Sequence, residues 1–140
     1  LITNGMGGIV AVRPDGKGNV TKSHVVWTSS KSVAKKSSPI VVDGLVYMIT
    51  DDGIVTCREL EDGKIVWQKR AGGSYAASPI YASGRIYLFS IEGAITTLKA
   101  GREYEMLAET ELGDGFMASP AVVGDQLILR SKSALYSIVK

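Results

Sequence analysis

Three Ser-Pro steps, at Ser38, Ser78 and Ser119, stand 40 and 41 residues apart, and each opens a stretch of the same design. The first stretch reads SPIVVDGLVYMITDDGIVTCRELEDGKIVWQKR. The second returns as SPIYASGRIYLFSIEGAITTLKAG and the third as SPAVVGDQLILRSKSALYSIV. A fixed period of this length marks a repeat architecture, so the chain is to be understood as copies of one unit.

The unit divides into short apolar runs separated by turn residues. Strands are expected over 39–42, 45–50, 54–60 and 64–70, with turns at Asp43-Gly44, Asp52-Gly53 and Glu61-Asp62-Gly63. Pro39 is tolerated because it stands at a strand start, where no ladder donor is needed. The second copy keeps the turns as Ser83-Gly84 and Glu92-Gly93. Its third strand is expected over 94–99 and its fourth over 104–111, where Leu107 and Ala108 stand in place of a tryptophan. The third copy has Gly124-Asp125, the turn pair reversed, then Lys132-Ser133, and reaches Lys140 after its third strand. Upstream, strands are expected over 1–3, 9–13 and 25–27, with a glycine-rich turn at Asn4-Gly5 and Gly7-Gly8 and a polar loop over 14–22. Trp27 precedes Ser38 by the same 11 residues that separate Trp67 from Ser78, so the first segment is the tail of another copy.

Runs such as LVYMIT and RIYLFS are apolar on both sides, whereas a strand with one wet face would alternate. Sheets of about four antiparallel strands, buried on both faces and repeating near 40 residues, predict an all-β fold, a β-propeller. A β-sandwich is the alternative, but it does not account for a repeat that returns in register. The expected blades are 1–37 (partial), 38–77, 78–118 and 119–140 (partial), with about three, four, four and three strands. A closed ring needs 4–8 blades. The chain is therefore expected to be part of a propeller whose N-terminal half lies elsewhere, or one that self-associates through its open blade ends.

Composition narrows the partners. A formal net charge of +2 gives no case for nucleic acid or an anionic membrane. The longest apolar runs are strand-length and cannot span a bilayer as a helix. Cys57 is the only cysteine, so an internal disulfide and a multi-cysteine metal cluster are both excluded. The chain opens on Leu1 without a basic-then-apolar leader, which makes a fragment or processed product the expectation.

The segment CRELEDGKIVWQ resembles the tryptophan-docking repeat of the pyrroloquinoline-quinone (PQQ) propellers, roughly A-x-D-x-x-T-G-x-x-x-W. Gly63 and Trp67 match, while Cys57, Glu59 and Asp62 stand for the Ala, Asp and Thr. With AVRPDGKGNVTKSHVVW before it and ASPAVVGDQLILRSKSALYSIVK after it, the chain is similar to the C-terminal half of bacterial PQQ-like propellers of the BamB type. The resemblance implies that Trp27 and Trp67 dock on the glycine turn of the next blade, with Gly63 as one such glycine. It also implies a periplasmic or extracytoplasmic setting and a noncatalytic binding or scaffold role. A quinoprotein dehydrogenase, or a sensor domain fused to a kinase, is the alternative. A PQQ enzyme would further imply an adjacent cysteine pair, a catalytic aspartate and Ca²⁺ ligands. None of these can be assigned, so no cofactor, no metal and no catalytic residue is expected.

Individual residues are weighed against simpler roles. At blade spacing the two tryptophans are expected to be interblade packing, not a quinone platform. His24, the sole histidine, lacks His or Cys partners and is expected to bond within its loop. Cys57, in an apolar strand, is expected to be a small buried hydrophobe. Asp51-Asp52 is expected to be a hairpin turn, because Gly53-Ile54-Val55 lacks the oxygens of a Ca²⁺ loop. The connections SSKSVAKKS, AGGSYAAS and LGDGFMAS link each fourth strand to the next Ser-Pro and should share one face of the ring. They place Lys35, Lys36, Tyr75, Phe116 and Met117 around one mouth, where exposed aromatics and methionine would suit a protein partner. The other outcome is that the rings pack inward.

Overall fold

The computed structural model describes residues 1–4, 6 and 8–139. The described residues form four antiparallel sheets. The first holds β1 (Ile2–Asn4), β2 (Gly8–Val12) and β3 (Val25–Ser29). The second holds β4 (Ile40–Val42), β5 (Leu45–Ile49), β6 (Ile54–Glu59) and β7 (Ile65–Arg70). The third holds β8 (Ile80–Ala82), β9 (Arg85–Phe89), β10 (Ala94–Lys99) and β11 (Met106–Glu111). The fourth holds β12 (Ala121–Val123), β13 (Gln126–Arg130) and β14 (Leu135–Val139). In every sheet each strand pairs with its sequence neighbour, so the sheets run up and down in chain order with three, four, four and three strands.

Strand periodicity explains why the sheets stack as blades. Successive side chains of a strand point to opposite faces, and all five residues of β5 are buried. Leu45, Tyr47 and Ile49 enter one core with Ile86, Leu88 and Leu98 of the third sheet. Val46 and Met48 enter another with Ile9, Ala11 and Trp27 of the first. One strand thus feeds two seams, which is the arrangement of blades around a propeller axis. A third seam gathers Phe89, Ile95, Phe116 and Leu129 between the third and fourth blades.

The hairpin turns follow from their residues. Asp43 and Gly44 have φ of 48° and 77°, and Ser83 and Gly84 have 49° and 76°. Two consecutive positive φ values between paired strands define a type I′ turn, whose twist matches the strands it joins. Gly124 is positive at 57° and Asp125 is not. Reversing the pair therefore puts glycine first, the type II′ pattern.

Strand bounds differ from expectation by a residue or two, with local causes. β4 starts at Ile40 because Pro39 has no N–H to give. β7 starts at Ile65 because the Lys64 N–H is held in the turn by Asp62 Oδ1 at 3.0 Å. β3 runs two residues further, to Ser29, and β11 starts two residues later, at Met106 and not at 104. Tyr104 instead folds onto Trp67, ring centroids 5.3 Å apart. The glycine-rich turn expected near the start includes Gly5 and Gly7, which lie outside the described residues.

Candidate functional site

The seams and the linkers between blades hold most of the sequence's conspicuous residues. In the first three sheets the last two strands pair with one register shift each. Immediately before it stand the pairs Ala11↔Trp27, Cys57↔Trp67 and Thr97↔Ala108. A small residue opposite the indole lets the ring lie across the strands toward the following blade. Trp27 lies over Gly63: a Cβ there would sit 2.6 Å from the indole, and Gly63 has φ of +72°. The Trp27 Nε1–H donates to Leu60 O at 2.8 Å. Trp67 repeats the arrangement one blade on, donating to Gly101 O at 3.1 Å. Both indoles are 9% exposed, which commits them to the seams.

Tyr47, Arg58 and Arg102, which the sequence did not single out, complete these seams with Cys57 and Glu59. The Gly101 N–H donates to Tyr47 Oη at 2.7 Å. Burial pushes the Tyr47 phenol up to about 12, and burial likewise pushes the Cys57 thiol up to about 11. Arg102 grips Glu59 with two bonds of 2.5 and 3.0 Å across the second and third blades. Arg58, almost fully buried, donates to Gly63 O at 3.1 Å and reaches back to Ser29 Oγ and to Lys31 O in the preceding segment. Burial lowers its pKa.

The Ser-Pro steps also join blades. The Ser38 N–H donates to Ser78 Oγ, and the Ser78 N–H to Ser119 Oγ, each at 2.9 Å. The repeat that organises the sequence is thus a relay of backbone-to-hydroxyl bonds from one blade start to the next.

The linkers run over the β5–β6 and β9–β10 turns, which places them at one end of the blades. Turn carboxylates hold them. Asp51 Oδ1 accepts from the Lys35 N–H at 3.1 Å, and Glu92 from the Ser74 N–H at 3.0 Å. That backbone bond draws the Glu92 pKa down. In the last linker the roles reverse: Asp114 accepts from Ser133 N–H, Ser133 Oγ and Ser131 Oγ at 2.7, 2.5 and 2.8 Å. The serine bonds, Ser133 foremost, hold its carboxyl at about 2.

The residues expected around the mouth divide. Lys35, Lys36 and Met117 are exposed, and Met117 keeps 62% of its surface. Lys36 Nζ lies 3.4 Å from Asp51 Oδ2. Tyr75 and Phe116 are not exposed. They are 2% and 1% accessible, which corrects the expectation of aromatics at the surface. The cause is backbone pairing. Tyr75 bridges to Ser90 and Phe116 to Ser131, each residue continuing the neighbouring blade's ladder, so its side chain turns into a seam. Phe116 meets Phe89 edge-on at 5.7 Å. His24 bonds within its loop, 2.7 Å from Ser23 Oγ and 3.4 Å from Asp15. Thr50 Oγ1 donates to Asp52 Oδ1 at 2.6 Å, closing the turn at Asp51-Asp52. Among the described residues no three His, Cys, Asp or Glu side chains are grouped to hold a metal ion. No helix of the described residues is long and apolar enough to cross a membrane.

The family model described as outer membrane protein assembly factor BamB matches residues 5–139. The chain belongs to the BamB family. The crystal structure of BamB from Moraxella catarrhalis superposes with a TM-score of 0.73 at 18% identity, covering 96% of this chain and 40% of that one. The chain therefore spans well under half the length of that BamB. Two dehydrogenases share the fold. A quinohemoprotein alcohol dehydrogenase from Pseudomonas putida HK5 matches at TM-score 0.57 and 17% identity, over 67% of this chain and 16% of that one. A europium-containing methanol dehydrogenase matches at 0.54 and 19%, over 71% and 20%. At these identities the likeness is one of fold. No curated protein sequence matches the chain.

Proposed function

We propose that this chain is part of a noncatalytic bacterial propeller that binds a protein partner at its linker face, in the periplasm or another extracytoplasmic compartment. The observation that carries this reading is where the side chains are spent. The indoles, the thiol, the buried arginine and the linker aromatics all serve blade-to-blade packing, while Lys35, Lys36 and Met117 face outward on linkers pinned by turn carboxylates. A rigid surface carrying methionine and cationic stems suits protein recognition. Membership of the BamB family supports the same reading.

The residues present do not fit PQQ. Trp27 and Trp67 are covered by the next blade, and Cys57 is single and buried. We accordingly propose no quinone pocket within this chain. The outward faces of the first and last blades carry exposed Ile2, Val26, Val123 and Leu135, and further blades or a second copy would cover them.

A photo-crosslinker placed at Met117 tests the reading. The expected result is a discrete adduct with a periplasmic protein that weakens in Lys35→Ala/Lys36→Ala. An absence of adducts from Met117 and from both lysine positions would contradict it. Saturable binding of PQQ with Ca²⁺ to the longer polypeptide would favour the quinoprotein alternative.

A further inference from the structure

Ala108 occupies, by register, the place of Trp27 and Trp67, facing the following blade. Where those indoles fill their seams, the third seam is packed around Phe89 and Phe116 and open in the remainder. A cavity of about 620 Å³ lies between the third and fourth blades. That volume is typical of a ligand site. Tyr87, Ile95 and Thr97 line one wall and Val122, Leu127 and Ile138 the other. Tyr87 and Thr97 are the counterparts of Tyr47 and Cys57, which sit beside the Trp67 ring. The seam thus keeps the side walls of an indole's place and lacks the ring, while the following blade's turn that takes the indole N–H in the other seams, at Leu60 and Gly101, has no counterpart among the described residues. Val122 and Ile138 remain 50% and 42% exposed.

We propose that this cleft docks an aromatic side chain of the indole class, delivered by a protein partner. The occupant is identified by the molecule's own repeats: the same wall elsewhere takes a tryptophan. The proposal rests on the binding role above and gives it a site distinct from the linker face.

The test titrates N-acetyltryptophanamide into the isotopically labelled chain and follows the methyl resonances of Ile95, Leu127 and Ile138. Saturable shifts confined to these residues are expected. They should be lost in Ala108→Trp, which supplies the ring in cis, and in Ile138→Glu, which charges the wall without depending on a new core contact. N-acetylleucinamide should produce no saturable shift. Shifts absent from the wild-type chain, or unchanged in both variants, would overturn the proposal. A wild-type dimer that Ala108→Trp renders monomeric would assign the cleft to a second copy and overturn it equally. If the Met117 adduct survives while the cleft takes no probe, the binding role stands and the cleft site falls. If the cleft takes the probe and no adduct forms, the linker-face reading fails alone.

Discussion

Gly63 is a glycine for two reasons that act together. Its φ of +72° is one that other residues adopt at a cost, and the space above its Cα belongs to the Trp27 ring. Gly63→Ala should therefore lower the thermal midpoint by more than the same change at Gly44, where a Cβ meets nothing within 4 Å; equal shifts would contradict the docking role. Trp67→Ala should cost about 3–5 kcal/mol, the range for truncating a buried large aromatic, read by denaturant unfolding. A loss near zero would mean that the ring contributes no core. Asp114 makes the clearest pH prediction. Its carboxyl is held at about 2 against an ordinary 3.8. The folded value is the lower one, so its contribution is complete above the ordinary value and is lost as pH falls through about 2. Acid-unfolding profiles of the wild type and Asp114→Asn should differ at neutral pH and converge as pH falls through that window. Profiles that stay parallel would remove the assignment.

At the scale of strands and linkers, the bonds between blade starts form a series. Ser78 belongs to two of its links, donating its N–H to Ser119 and accepting from Ser38 through its hydroxyl. Ser78→Ala removes the acceptor and should destabilise by about 0.5–1.5 kcal/mol. Amide exchange at Ser38 should rise in the variant; unchanged exchange would show that the bond is not formed in solution. The elements were largely legible beforehand, because strand periodicity and turn φ are local properties of the chain. The strand over Ala94–Lys99 was read to the residue. The start of β11 was not, because Tyr104 is drawn out of its own blade by Trp67, a residue of the preceding one.

At the scale of the whole molecule, every seam but the third is closed by an indole, and the exposed ends of the array carry apolar side chains. Closure of the remaining ring is thus expected to raise stability. A longer polypeptide that supplies adjoining blades should unfold at higher temperature than this chain alone, and identical midpoints would show that the exposed faces stay uncovered.

The sequence alone determined the repeat, the strand count of each blade, the turns and the placing of the two tryptophans between blades. Each rests on spacing or on the conformational preference of one or two residues. Only the tertiary structure decided what the linkers do. Tyr75 and Phe116 stand in polar, glycine-rich segments that read as surface. Each joins the ladder of a strand in the next blade, and that pairing, made some 15 residues away in the sequence, turns its ring inward. The same distance hides the third cleft. A missing tryptophan at 108 can be seen in the sequence, but an open cleft exists only once two blades stand side by side with no indole between them.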